Sequence, residues 1–471
     1  MTPTPTRHIA SINDLSNDEI AAVFDMAQFF LDRQGDPAVP HRIARSADHA
    51  AGLILATLFF EPSTRTRLSF ESAMNRLGGR VITSADPATS SAAKGESLAD
   101  AVRVVANYAD LIVIRHPRDG AARLAAEYAG IPVINGGDGA HEHPTQTLCD
   151  LFTLKKKHAS IKGLNVAIAG DLRGSRTIHS FVYALARFGA NLILMPAKGL
   201  ELPAHVDRRL REEFRCTMAK PPPAEIGEFA IDALYVTAKA PHQLSLIPEN
   251  TDIHMKLTSR IDAVYVTRQQ KEREPGRNYG DYPIIDADFL KAPKYSKASV
   301  LHPLPRVGEL DRAFDSDARA AYFEQAAYGV PIRMALIALL MGLIKDRPLA
   351  RYPGGFAPAK AVHYEDAARA GLECANQNCI VHDPLERAAA RNLFTIAPAP
   401  TSSKSVLRCH YCEADIENFI IAHRGERWLK PGASAIRDMT SKDLLAYLFF
   451  SDVAGARLAG YVPAPEQSRC E

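Results

Sequence analysis

The run Ser63-Thr64-Arg65-Thr66-Arg67 interleaves three hydroxyls with two guanidinium groups. Hydroxyls are neutral donors, and arginine adds a forked, charge-assisted contact, a combination suited to a phosphate group. The run lies between an apolar segment, 52–60, and a segment with helical spacing, 68–77. Free amides at a helix start and the helix dipole favour the same anion. A plain helix cap needs one hydroxyl, not three. Arg115, in Val113-Ile114-Arg115-His116-Pro117, ends another apolar run, and His143-Pro144-Thr145-Gln146-Thr147 places a histidine near a carboxamide. The loop 90–97, with Ser90 and Lys94, is polar and small and reads on its own as a solvated loop. Late in the chain Cys374 and Cys379 are separated by four residues, and Cys409 and Cys412 by two. Two such pairs can converge on a tetrahedral ion, and four thiolates suit Zn2+. Chance clustering of reduced thiols is the simpler alternative.

These residues need elements to hold them. Ser16 and Glu19 form a capping box ahead of Ile20, Val23, Phe24, Ala27 and Phe30, which recur at helical spacing. Strands are expected at 52–60, 111–115, 132–135 and 165–170, and helices at 121–129 and 177–188. Such alternation implies an α/β fold of doubly wound parallel sheets covered on both faces, with ligands beyond the carboxyl ends of the strands. The segments 231–237 and 261–267 echo each other, which reads as two buried parallel strands of convergent composition. The stretch 346–361 is rich in proline, glycine and alanine and reads as a linker.

With 471 residues the chain is long enough for two or three domains. Lysine plus arginine (56) nearly balance aspartate plus glutamate (54), so bulk charge gives no reason to expect a nucleic-acid or membrane partner. The polar, proline-rich start lacks an apolar signal core. The longest apolar run, 334–344, is short for a membrane span and reads as a buried helix. A cytoplasmic location is expected, where cysteines stay reduced.

The segment Phe60-Glu61-Pro62-Ser63-Thr64-Arg65-Thr66-Arg67-Leu68-Ser69-Phe70-Glu71 resembles the carbamoyl-phosphate signature of the carbamoyltransferase family, and the similarity runs on through Ile344. The resemblance implies that Ser63, Thr64, Arg65 and Thr66 hold the phosphate, with Arg115 a further ligand. His143 and Gln146 would contact the carbamoyl group. Ser90 and Lys94 would reach into the site of a neighbouring subunit, making the active site shared and the assembly a homotrimer or a multiple of trimers. Some relatives carry two lysines there; this chain has Ala93-Lys94.

Within the family the second substrate is aspartate or ornithine. Leu301-His302-Pro303-Leu304-Pro305-Arg306 resembles the aspartate type and lacks the cysteine of the ornithine type. Thr267-Arg268-Gln269-Gln270-Lys271-Glu272-Arg273 resembles the aspartate-type loop. By this resemblance Arg268 and Gln270 grip a side-chain carboxylate, Arg176 grips the α-carboxylate, and Leu304 and Pro305 line the substrate site. Arg273 and Glu61 would make a closure contact between domains. The implied reaction gives N-carbamoyl-L-aspartate and phosphate, the committed step of pyrimidine biosynthesis.

The cysteine segments resemble the zinc domain of the family's regulatory chain, here fused to a catalytic chain. Zinc would be structural, and no organic cofactor is implied. The expected layout is a carbamoyl phosphate domain (1–148), an aspartate domain (149–315) and a C-terminal helix packing back on the first domain (316–346). A linker (347–372), a small β-rich zinc domain (373–462) and a disordered tail (463–471) follow. About thirty residues separate the last catalytic helix from Cys374, too few for an effector domain, so nucleotide feedback through one is expected to be absent. Three rivals are an ornithine enzyme, a catalytically silent scaffold, and a zinc-dependent nucleic-acid binder. The late motifs, the retained ligands and the balanced charge, respectively, argue against them.

Overall fold

Alternating apolar and amphipathic segments give two parallel sheets. The structure, a computed structural model, describes residues 6–36, 52–85, 91–158, 160–222, 225, 228–237, 260–268, 291–344, 361–364, 372–397, 406–423, 428–431 and 447–463. Helix α1 (Asn17–Asp32) starts at the capping box Ser16–Glu19 and buries Ile20, Val23, Phe24, Ala27 and Phe30. Next come β1 (Ile54–Phe59), α2 (Thr64–Arg76), β2 (Arg80–Ser84), α3 (Leu98–Val105), β3 (Leu111–His116), α4 (Ala121–Ala129), β4 (Val133–Asp138) and α5 (Pro144–Lys157). The four strands form a parallel sheet in the order β2-β1-β3-β4. The chain runs outward from β1 to β2 and then returns to the other side of β1, so the switch point lies between β1 and β3. A ligand crevice opens beyond the carboxyl ends of such a pair.

The second sheet is built from β5 (Asn165–Gly170), β6 (Asn191–Pro196), β7 (Met218–Ala219), β8 (Ala233–Val236), β9 (Ala263–Val266) and β10 (Ser299–Leu301), in the order β10-β9-β8-β5-β6-β7. Helices α6 (Arg176–Arg187) and α7 (Ala204–Glu212) follow β5 and β6. The echoed segments are β8 and β9, adjacent parallel strands pairing Tyr235 with Tyr265, whose rings stack with centroids 4.2 Å apart. Helix α8 (Tyr322–Leu340) is the one described helix long and apolar enough to cross a membrane, and it is mostly buried here. It packs against α1, α2 and α5 of the first sheet's layer.

Beyond it lie β11 (Ala361–Tyr364), β12 (Asn392–Ala397), β13 (Val406–Cys409) and β14 (Asp415–Ile416), a small antiparallel sheet. A second small sheet holds β15 (Ile420–His423), β16 (Trp428–Pro431), β17 (Tyr447–Phe450) and, after α9 (Val453–Leu458), β18 (Val462–Pro463). Two expectations change here. The 347–372 stretch contains β11, which the ladder with β12 ties to the small sheet. Pro463, expected in a disordered tail, belongs to β18, paired to β16; 464–471 lie outside the described residues.

The cysteine module docks on the parallel-sheet part of its own chain. Asp119, between β3 and α4, donates its N–H to Asn378 O (3.1 Å) and accepts from Ile380 N (2.9 Å). Its carboxylate accepts from Asn376 Nδ2 (2.7 Å) and Asn378 Nδ2 (2.9 Å). Gly120 has φ +82°, and a Cβ there would sit 2.6 Å from the Tyr411 backbone, so only glycine permits this approach. Glu413, from the module, accepts from Arg123 of α4 at 3.2 Å and from Arg209 of α7. One buried carboxylate thus ties the module to both parallel-sheet domains. Arg408 pairs with Glu213 at 2.6 Å, and Arg208 pairs with Asp415 and Glu417.

Candidate active site

Glu61 and the hydroxyl run follow β1, and Arg115 ends β3, so both lie at the first switch point. Helix α2 begins at Thr64, four residues before the apolar periodicity does. The backbone amides of the Ser-Thr-Arg-Thr run are therefore the first-turn donors themselves. Ser63 makes no side-chain cap bond to this helix. His143 precedes α5 and donates its N–H to Ser180 Oγ at 3.0 Å.

The second sheet supplies the facing wall. Arg176 opens α6 after β5, Arg268 follows β9, and His302 to Pro305 follow β10. These groups surround one cavity of about 580 Å3. Of the expected site residues, Ser63, Thr64, Arg65, Thr66, Arg115, His143, Gln146, Arg176, Arg268, Leu304 and Pro305 line it. Lys94 does not; it is exposed, at the end of a short 3-10 turn (Ser91–Lys94). Ser90, Gln270 and Arg273 lie outside the described residues.

The charges are arranged around Glu61. Arg115 Nη2 donates to Glu61 Oε1 at 2.9 Å, and Arg176 donates to both oxygens at 3.1 Å. Arg176 Nη1 also donates to Gly139 O at 3.0 Å. Gly137, at φ +111°, lies among them: a Cβ there would sit 3.1 Å from the Arg176 guanidinium, 3.2 Å from the His143 ring and 3.3 Å from Arg115 Nη1. Arg65 Nη2 donates to Leu304 O at 2.6 Å across the cavity. Burial, and then the charge of Arg268, lower the pKa of Arg65. Two cations facing one cavity favour an anionic ligand.

Leu304 has φ +55°, a costly conformation for a branched side chain. Its N–H donates to His302 Nδ1 at 2.7 Å. An accepting Nδ1 leaves the proton on Nε2, which lies 2.7 Å from Glu309 Oε1. The imidazole is therefore neutral, and burial, the leading cause, lowers its pKa. The sequence reading missed three lining residues, Glu61 in its pairing role, Gln325 and Arg333. A charged Arg333 inside the apolar helix α8 is the signal that could have found it. Cys149 also lines the cavity, but burial pushes its thiol up to about 11, so it is no nucleophile at neutral pH.

Cys374, Cys379, Cys409 and Cys412 are buried with their sulfurs all within 4.8 Å of one another. Cys374 Sγ lies 3.4 Å from Cys412 Sγ, and Cys379 Sγ 3.8 Å from Cys409 Sγ. Tetrahedral bonds of about 2.3 Å place sulfurs roughly 3.8 Å apart, so the four fit a structural metal. His141, Glu142 and Glu413 also cluster. There, however, Glu413 is engaged by Arg123 and Arg209, and Glu142 accepts from Ser11, Ile12 and Ser180. That cluster is an ion-pair and hydrogen-bond network.

Comparison with known proteins agrees with this geometry. The family model for the aspartate/ornithine carbamoyltransferase carbamoyl-P binding domain matches residues 7–156, and that for the Asp/Orn binding domain matches 162–340. The model for the metal binding domain of the aspartate carbamoyltransferase regulatory chain matches 369–422. The aspartate carbamoyltransferase catalytic subunit of Thermoplasma volcanium is 42% identical over 344 residues, 71% of this chain and 98% of that protein. The catalytic subunit of M. jannaschii aspartate transcarbamoylase superposes with TM-score 0.54 at 39% identity, covering 72% of this chain and 99% of the other. Aspartate transcarbamoylase from Trypanosoma cruzi, solved with carbamoyl aspartate and phosphate, gives TM-score 0.53 at 31% identity, covering 71% and 96%. The chain belongs to the aspartate/ornithine carbamoyltransferase family, among its aspartate carbamoyltransferase catalytic chains, and carries the regulatory chain's metal-binding domain on the same polypeptide.

Proposed function

We infer a division of labour for carbamoyl transfer to aspartate within the cavity between the two sheets. Ser63, Thr64, Arg65 and Thr66, with Arg115, hold the phosphate of carbamoyl phosphate. His143 and Gln146 address the carbamoyl group. Arg176 takes the α-carboxylate of aspartate, and Arg268 with Gln270 takes the side-chain carboxylate, while Leu304 and Pro305 shape that wall. The single observation that carries this reading is the convergence of the α2 start, Arg115, His143, Arg176 and Arg268 on one cavity from two sheets.

The neutral α-amine attacks the carbamoyl carbon, a tetrahedral species forms, and phosphate leaves with the C–O bonding pair and takes up the proton that the amine nitrogen sheds. No side-chain nucleophile is needed. Holding the two anions in line can supply roughly 7–11 kcal/mol of the barrier. Fixed donors such as Arg115, His143 and Thr66 act where charge develops, each worth about 2.7–4 kcal/mol. Carboxylate-binding arginines favour aspartate over ornithine, whose distal ammonium they would repel.

Ser90 and Lys94 complete a neighbouring subunit's site in this reading. The support is that Lys94 is exposed and lies away from its own cavity. The assembly is then a homotrimer or a multiple of trimers, acting in the cytoplasm on the pyrimidine route. The four cysteines hold structural zinc. The regulatory-type module serves assembly, and aspartate saturation is insensitive to ATP and CTP. Mixing an inactive Lys94→Ala chain with an inactive Arg65→Ala chain tests site sharing: shared sites recover activity on subunit exchange, and unshared sites do not.

A further inference from the structure

The cavity wall rests on a buried carboxylate that does not line it. Asp150, in α5, is 1% exposed. Its Oδ1 accepts from Gln146 Nε2 at 2.8 Å and from Gln325 Nε2 at 2.7 Å, and its Oδ2 accepts from Tyr265 Oη at 3.1 Å. Each arm continues to the cavity. Gln325 Oε1 accepts the N–H of His302 at 2.9 Å, which begins the 302–305 wall. Tyr265 stacks on Tyr235, whose hydroxyl lies 3.3 Å from Thr177 Oγ1, beside Arg176. Gln146 itself lines the cavity.

We propose that Asp150 is the positioning residue that sets the Gln146 carboxamide and registers the walls of the two domains against each other. A carboxylate only accepts, so it binds the amide nitrogen of Gln146 and leaves the amide oxygen free to accept. That oxygen suits the NH2 of a carbamoyl group, whereas a flipped amide would present a second donor and repel it. The same logic orients Gln325, whose nitrogen faces Asp150 while its oxygen holds the His302 backbone. Asp150 therefore selects a nitrogen-bearing acyl group on one side and fixes the aspartate wall on the other. Burial disfavours this carboxylate and raises its pKa to about 6. The facing groups are Gln146 on its own helix, Gln325 and Arg333 on α8, and Tyr265 on β9.

The inference rests on the carbamoyl-transfer reading, and the test separates the two. Transfer from carbamoyl phosphate to aspartate by the unmodified protein must be measurable first; its absence removes that reading, not the hydrogen-bond web. Given activity, Asp150→Ala is expected to lower kcat about 100-fold through misalignment. Inhibition by inorganic phosphate should change less than threefold, since phosphate meets the α2 start and Arg115, not Gln146. Added to Gln146→Ala, the Asp150→Ala change should cost clearly less than it does alone, what remains being its hold on the aspartate wall through Gln325. Asp150→Leu keeps the side-chain shape without acceptors and serves where alanine prevents folding; it should match the alanine loss. Asp150→Asn keeps an acceptor and should stay within tenfold of the unmodified kcat. A kcat within threefold in Asp150→Ala or Asp150→Leu, losses additive with Gln146→Ala, or Asp150→Asn as slow as Asp150→Leu would overturn the proposal.

Discussion

Arg115 and Arg176 donate to the same carboxylate, that of Glu61, at 2.9 Å and 3.1 Å. In the proposed division of labour one arginine serves carbamoyl phosphate and the other aspartate. Without substrates Glu61 holds both near their working positions and screens their mutual repulsion. Glu61→Gln removes that screen. Phosphate is then expected to inhibit about tenfold more tightly, near 1.4 kcal/mol, while kcat falls because the arginines lose their common anchor. Product-inhibition kinetics check this; an unchanged phosphate constant would show that Glu61 does not compete for these cations.

Arg65 joins the start of α2 to the opposite wall through Leu304 O, at 2.6 Å. Arg65→Ala should reduce kcat by about 100- to 1000-fold, the scale of losing one fixed transition-state donor. Steady-state kinetics at saturating substrates decide it. Near-normal turnover would remove Arg65 from the chemistry.

The cysteine module is joined to both catalytic domains through Asp119 and Glu413. Metal removal should therefore loosen the C-terminal fifth first. Mass measurement under native conditions is expected to find one zinc per chain, and a strong chelator should make residues beyond 372 sensitive to protease. Cys412→Ser should behave the same way. A metal-free chain whose module stays protease-resistant would contradict the structural-metal assignment. Glu413→Ala leaves Arg123 and Arg209 buried without their shared partner, at about 3–5 kcal/mol for breaking such a pair. It should release the module even with metal bound.

Asp150 also predicts a pH dependence of stability. Burial raises its pKa from 3.8 to about 6, so folding favours the protonated form. Its cost is absent below about pH 4, grows between 4 and 6, and is constant above, near 3 kcal/mol at ~1.4 kcal/mol per unit. Asp150→Asn should then be more stable than the unmodified chain at pH 8, with the gap closing toward pH 4. Denaturant unfolding at the two pH values measures the gap. An equal or larger gap at pH 4 would mean that burial is not what governs this group.

Much of the site could be read because its chemistry is concentrated in short polar runs at strand ends. The Ser63–Thr66 hydroxyls, Arg115, His143 and the cysteine pairs announce themselves by residue type and spacing. The start of α2 was read late because its first turn is polar, and periodicity registers only apolar residues. The Asp150 web escaped because its members, Gln146, Tyr265, Gln325 and His302, are far apart in sequence and meet only in the folded chain. The docking of the module in cis was likewise invisible: nothing at Asp119 or Gly120 marks them as its seat until Asn376 and Tyr411 are placed beside them.

The most direct test is carbamoyl transfer by the purified, zinc-loaded chain, with aspartate and ornithine run side by side. The account predicts turnover of carbamoyl phosphate with aspartate and none above background with ornithine. Turnover with ornithine, or with neither amine, would contradict it.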